Sequence, residues 1–163
     1  MKEKILVTGG TGYIGSHTVV ELQNAGYEVV IIDNLSNSSA DVVDNIEKVS
    51  GIRPAFEKLD CLDYAGLDAV FAKYKGIKAI IHLRQARRWR VCGKAVALLP
   101  QQLGFLDKPA RLMPKHGVEG IVFSSSCTVY GQPDHLPVTE EAPIKKAESP
   151  VRKYEANQRR DCS

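Results

Sequence analysis

Apolar runs and helix-period stretches alternate along the first half of the chain. Lys4 to Val7 is an apolar run that stops at Thr8-Gly9-Gly10, the pattern of a buried strand ending in a turn. Ile14, Thr18, Leu22 and Ala25 then recur at near-helical spacing, and Gly26 supplies a stop signal. Glu28 to Asp33 reads as a second buried strand, followed by the polar loop Asn34 to Ser39. Asp41 to Ser50 is helical in pattern and closes at Gly51, and Ala55 to Leu59 is a third strand. Asp63 is placed to cap a helix over Ala65 to Tyr74, whose apolar face is Leu67, Val70, Phe71 and Tyr74. Gly76 ends that helix, Lys78 to His82 is a fourth strand, and Gly120 to Ser124 is a fifth that runs into Ser125-Ser126. Strands that are apolar throughout, each separated from the next by a helix, predict a parallel sheet covered on both faces. The fold class is α/β and doubly wound.

Composition narrows the function classes. With 163 residues, 44% of them hydrophobic, the chain can bury one domain's core, which excludes a disordered polypeptide. No apolar stretch approaches the ~18 residues of a membrane helix, and the N-terminal run is too short for a secretory leader. The four cysteines (Cys61, Cys92, Cys127, Cys162) include no C-x-x-C pair, so they predict reduced thiols in a cytoplasmic protein and no metal site. His17, His82, His116 and His135 likewise lack metal-ligand spacing.

Thr8-Gly9-Gly10-Thr11-Gly12-Tyr13-Ile14-Gly15 lies between the first strand and the first helix, with Gly9, Gly12 and Gly15 in a G-x-x-G-x-x-G series. Glycines there permit a tight turn and close approach of backbone to a pyrophosphate, and the helix N-terminus offers free N–H groups to the phosphates. A tight strand-to-helix turn can hold glycines for steric reasons alone. Asp33, at the end of the second strand and 18 residues past Gly15, adds the second element. A carboxylate there can accept from both ribose hydroxyls of NAD and would repel the additional phosphate of NADP. Together they predict a Rossmann-type dinucleotide domain over residues 1–150. Asp60, ending the third strand, fits either an adenine contact or a helix-capping acid.

These residues also carry a resemblance. Val7 to His17 (V-T-G-G-T-G-Y-I-G-S-H), Asp33-Asn34-Leu35-Ser36-Asn37-Ser38, Ile81-His82 and Phe123 to Gly131 (F-S-S-S-C-T-V-Y-G) resemble the UDP-glucose 4-epimerases of the extended short-chain dehydrogenase/reductase superfamily. The resemblance implies bound NAD, a UDP-sugar substrate and interconversion of UDP-glucose and UDP-galactose through a 4-keto sugar. It carries NAD contacts onto Gly9, Gly12, Tyr13, Ile14, Gly15, Asp33, Asn34, Leu35, Ser36, Asn37, Ser38, Asp60 and Cys61. It makes Ser126 the catalytic serine that hydrogen-bonds the reacting oxygen. It also implies a chain truncated before the substrate-binding half. Homodimerisation and a preference for N-acetylated sugars stay open at this level. A nucleotide-sugar dehydratase would need an Asp-Glu pair where Cys127 and Thr128 stand.

Two stretches depart from the resemblance. Residues 83–111 hold seven basic residues and one acid, and residues 151–163 hold four and two, leaving −5 on the other 121 residues. Eight of the nine arginines and the single tryptophan fall in these stretches. Arg84, Arg87, Arg88, Trp89 and Arg90 would suit RNA contacts, but no RNA-binding module surrounds them, and no nucleic-acid or membrane partner is expected. Pro100, Gly104 and Pro109 argue against one long helix. The family's Ser-Pro-Tyr-x-x-x-Lys reads Ser149-Pro150-Val151-Arg152-Lys153-Tyr154-Glu155, with Val151 in place of the tyrosine and Glu155 in place of the lysine. Valine has no proton to exchange, and a carboxylate raises the pKa of a neighbouring phenol. Abrupt edges of this kind are expected of out-of-frame translation, with a marginal fold as its consequence. Reading the coding DNA across codons 82–112 and beyond codon 150 is expected to reveal single-base shifts whose correction restores Tyr-x-x-x-Lys after Pro150. DNA that encodes the chain as written would make both stretches genuine.

Overall fold

Side chains from β-strands that are buried on alternate sides make two separate cores, one on each face of a five-stranded parallel sheet. The computed structural model describes residues 2–83, 108–124, 139 and 141; the strands are β1 (Lys4–Thr8), β2 (Glu28–Asp33), β3 (Ala55–Lys58), β4 (Ile77–His82) and β5 (Gly120–Phe123). Their spatial order is β3-β2-β1-β4-β5, so the chain winds outward from β1 in one direction and then in the other. The helices are α1 (Tyr13–Asn24), α2 (Asp41–Ser50) and α3 (Tyr64–Lys73), and residues 108–116 are also helical. Strand and helix positions match the sequence expectation to within a residue or two at each end. All but residues 139 and 141 of the described chain fall in one compact unit.

Alternation along the strands divides the core. Leu6, Val30, Ile32 and Ile80 point to the face covered by α3 (Leu67, Val70, Phe71) and by Leu112 and Val118. Ile5, Val7, Val29 and Ile31 point to the other face, against Val19 of α1 and Ile46 of α2. Because both faces are covered, neither set of side chains can be polar, which is why β1 and β2 read as unbroken apolar runs. The helix ends follow their sequence signals. Asp63 accepts a hydrogen bond from the Gly66 N–H at 3.0 Å and caps α3, while Gly51, in the left-handed region at φ +73°, closes α2. Surface ion pairs are few-partner clusters. Arg53 bridges Asp44 and Glu47 at 2.8 and 2.6 Å, and Asp68 accepts from Lys115 and His116, bonds that hold its carboxyl below the usual range. Such exposed pairs contribute little to stability.

One expectation is corrected. The inward face of α1 is Gly15, Val19 and Gln23, whereas Ile14 is 61% exposed and Ala25 is also exposed. Close packing of Gly15 on the preceding turn sets the rotation of the helix, and this outranks the apolar spacing. Of the arginine-rich stretch 83–111, the described residues are 83 and 108–111. Leu83 donates its N–H to the Thr8 carbonyl at 3.1 Å, and Lys108 Nζ donates to the Leu62 carbonyl. Pro109 and Pro114 both lie within the helical residues 108–116. Leu112 of the same helix is wholly buried. The rest of that stretch, and residues 151–163, lie outside the described residues. If residues 108–116 are integral to the core, Leu112→Ala lowers the unfolding free energy by about 2–5 kcal/mol in urea denaturation. A loss below about 0.5 kcal/mol would show that the helix is not docked.

Candidate functional site

Since all five strands are parallel, their C-terminal ends share one edge, and the sequence-predicted residues collect there. The glycine turn follows β1, the Asp33 loop follows β2, Asp60 follows β3, and His82 ends β4. Between β1 and β4 the winding changes direction. Covering helices diverge at such a point, leaving a crevice that in open α/β sheets receives ligands.

Backbone geometry of the turn explains its glycines. Gly9 has φ +76°, and its N–H reaches across to the Ile32 carbonyl at 2.8 Å, tying the turn to β2. A Cβ on Gly15 would lie 2.1 Å from the Gly9 carbonyl oxygen and 2.8 Å from Gly10 Cα, both backbone atoms. No real contact is so short, so the first turn of α1 can lie on the end of β1 only with hydrogen at this position. Gly10, which the G-x-x-G-x-x-G reading passes over, is also required: a Cβ there would meet the wholly buried Ile31 at 2.7 Å. Gly12 is the N-cap of α1, with no side-chain cap. The N–H groups of Tyr13, Ile14 and Gly15 lie in the first turn and have no acceptor within the helix. Free N–H groups at the positive end of a helix dipole could hold an anion.

The loop after β2 is built from successive side chain-to-backbone bonds. Asp33 Oδ1 accepts the Leu35 N–H at 2.9 Å, and Asn34 Oδ1 accepts the Ser36 N–H at 3.1 Å. The first of these holds Leu35 at φ +58°, a left-handed conformation that costs a leucine ~1–2 kcal/mol. Asn34 Nδ2 also donates to Asp60 Oδ2 at 2.6 Å, joining the loops after β2 and β3, while Asp60 Oδ1 accepts the Leu62 N–H. Asp33 is buried, and among the described residues its Oδ2 accepts no hydrogen bond. Thr11, only 2% exposed, has its hydroxyl 2.7 Å from that of Ser38, which in turn is 3.4 Å from Asp33 Oδ1.

Of the predicted contact residues, Gly9, Gly12, Tyr13, Ile14 and Gly15 line the turn, and Asp33 to Ser38 and Asp60 line the adjoining loops. Tyr13 is exposed, its ring edge-on to His17. Cys61, next to Asp60, is wholly buried in the core cluster that holds Leu67 and Val30. Ser126 lies outside the described residues. The sequence reading missed a buried pair at the crevice itself, in which Thr8 Oγ1 and His82 Nδ1 are 2.7 Å apart and the imidazole stacks on Phe123. Their only sequence signal is a polar residue at the last position of two apolar strands, and these positions are register partners.

The NAD dependent epimerase/dehydratase family matches residues 5–159, spanning the first arginine-rich stretch and most of the second. The chain belongs to that family. It is 45% identical over 144 residues to a UDP-glucose 4-epimerase of Bacillus subtilis, covering 86% of this chain and 41% of the relative. The UDP-glucose 4-epimerase of Homo sapiens is 39% identical over 160 residues, covering 94% and 46%. A crystal structure of UDP-glucose 4-epimerase from Bifidobacterium longum in complex with NAD+ and UDP superposes with a TM-score of 0.89 at 34% identity, covering 97% of this chain and 47% of that one. The chain thus spans less than half the length of these relatives. Among the described residues no helix is long and apolar enough to cross a membrane.

The geometry ranks the glycines. Gly15→Ala pushes a methyl group into backbone and is expected to lower stability by about 1–3 kcal/mol. Gly12→Ala meets only the Gly9 carbonyl at 3.2 Å, at an ordinary φ of −74°, and should cost less. Paired urea titrations check the order, and equal losses would mean that α1 does not rest on the turn.

Proposed function

We propose that the chain is the nucleotide-binding half of a UDP-glucose 4-epimerase, able to hold NAD but, as written, unable to turn over a UDP-sugar. The observation that carries this reading is the pairing of an uncapped helix N-terminus with a buried carboxylate. The amides of Tyr13, Ile14 and Gly15 face the strand ends, and Asp33 keeps one oxygen without a hydrogen bond from the described residues. A dinucleotide satisfies both. Its pyrophosphate would take the amides at the end of the glycine turn, and its adenosine ribose would donate to Asp33 Oδ2. Asn34 and Asp60, already bonded to each other, would border the adenine side, with Leu35, Ser36, Asn37 and Ser38 completing the loop and Cys61 behind it.

When bound, NAD supplies a hydride acceptor and donor for C4 of the sugar. The chain's own residues would hold and orient it, and by resemblance Ser126 would hydrogen-bond the sugar's reacting oxygen. Removing the 4-hydroxyl proton needs a base, yet Val151 and Glu155 occupy the positions of the family's tyrosine and lysine. Such a base contributes typically ~10²–10⁴-fold. This absence is what favours a second reading, a non-catalytic NAD-binding module of the same lineage. The same proposal sets the protein in the cytoplasm, in galactose metabolism, with no nucleic-acid or membrane partner.

Titration calorimetry with NAD and NADP, beside a UDP-galactose turnover assay, tests the proposal. NAD should bind more tightly than NADP, with no turnover detected. Asp33→Ala should weaken NAD by about 10- to 100-fold, the worth of hydrogen bonds to a charged group, and narrow the gap to NADP. Equal affinity for the two dinucleotides in the unaltered chain would overturn the assignment of Asp33, and measurable epimerisation would overturn the inactivity.

A further inference from the structure

Proton accounting around Thr11 points to a role that the glycine turn does not require. The hydroxyl of Thr11 is buried and has one proton to place. Among the described residues its side chain has a single partner, the Ser38 hydroxyl at 2.7 Å. Were Ser38 the donor, the Thr11 proton would be buried without an acceptor, which is the costlier arrangement. Thr11 therefore donates to Ser38, and the Ser38 proton is left for Asp33 Oδ1. That second bond is long, at 3.4 Å, whereas hydroxyl-to-oxygen bonds ordinarily fall near 2.7–2.8 Å. Asp33 Oδ1 in turn holds the Leu35 N–H and the left-handed backbone at Leu35. One chain of hydrogen bonds thus runs from the phosphate-cradling turn, through Ser38, to the carboxylate that faces the ribose.

Resting on the dinucleotide reading above, we infer that Thr11 is a positioning residue: by donating to Ser38 it locks the loop over residues 34–38 against the glycine turn and leaves the Ser38 proton on its long bond to Asp33, ready to exchange it for a phosphate or ribose oxygen of the ligand. The turn and the loop then behave as one preformed receptor, so that less ordering is left for the binding step. Only the donor direction and the weak second bond are needed, and both follow from the positions of three side chains.

The full 163-residue chain and its Thr11→Val, Thr11→Ser, Ser38→Ala and Thr11→Val/Ser38→Ala variants would be compared in two measurements. One is amide hydrogen exchange without ligand, read at Leu35 and Ser36. The other is NAD affinity by calorimetry. Thr11→Val and Ser38→Ala should each speed exchange at Leu35 and weaken NAD about 3- to 10-fold, and the double variant should lose no more than the worse single one. Thr11→Ser, which keeps the donor, should stay within about 2-fold of the unaltered chain. Wild-type exchange and affinity in Thr11→Val would overturn the proposal, leaving Thr11 as packing. If Thr11→Val does not fold, Thr11→Ala, which also removes the hydroxyl and adds no branched methyl, decides by the same two criteria. Should the unaltered chain bind no NAD, the dinucleotide reading fails first, visibly apart from the variants, and the positioning role falls with it.

Discussion

The approach of α1 to the end of β1 governs everything else at the site. With a 2.1 Å separation between the Gly9 oxygen and the place a Gly15 Cβ would take, helix and turn are packed as closely as backbone allows. That contact fixes which side of α1 faces the sheet, so Val19 and Gln23 are buried and Ile14 is left in solvent. It also aims the first three amides of the helix over the strand ends. A methyl group at Gly15 would lift the helix, and the donors, the buried face and the neighbouring Asp33 loop would all lose their register together. The glycines are thus a condition of the architecture before they are a condition of binding.

A second constraint crosses the point where the winding changes direction. β1 and β4 are neighbours in space but far apart in sequence, and their last residues, Thr8 and His82, meet through a buried hydrogen bond. Buried polar groups at a sheet edge need hydrogen-bond partners, and here each side chain supplies one to the other. The imidazole further stacks on Phe123 of β5, so β1, β4 and β5 are joined at the same edge by side chains as well as by the ladder. The loops that follow these strands therefore start from one rigid rim.

Most of this fold was legible from local pattern. β2 and α2 fall where the apolar run and the helix stop at Gly51 put them, and Asp63 caps α3 as its position predicts. Those signals are strong because they act over a few residues: a turn glycine, a capping carboxylate, an apolar strand. What could not be read was relational. The face of α1 depends on a contact six residues back along the chain, at Gly9. Gly10 is needed because Ile31, from another strand, lies over it. The docking of residues 108–116 depends on Leu112 reaching a core made by α3 and β4, although its flank looks foreign by composition. The Thr8–His82 pair exists only once two strands distant in sequence are in register.

The candidate site divides in the same way. Gly9, Gly12, Gly15 and Asp33 could be chosen from spacing, since each answers a demand that the dinucleotide-binding turn makes on a single position. The loop of residues 34–38 is different, because its shape is a network. Asp33 holds Leu35, Asn34 holds Ser36 and Asp60, and Thr11 holds Ser38. The left-handed Leu35 is the strain in that network, and it persists because Asp33 and its partners over-determine the loop. Strain held by ligand-facing groups is expected where a surface has to be shaped before the ligand arrives. On the proposed reading the carboxylate has two duties, one oxygen building the loop and the other accepting from the ligand. An asparagine could keep the first duty, accepting the Leu35 N–H through its single carbonyl oxygen, and would then present an NH₂ donor where the second duty needs an acceptor.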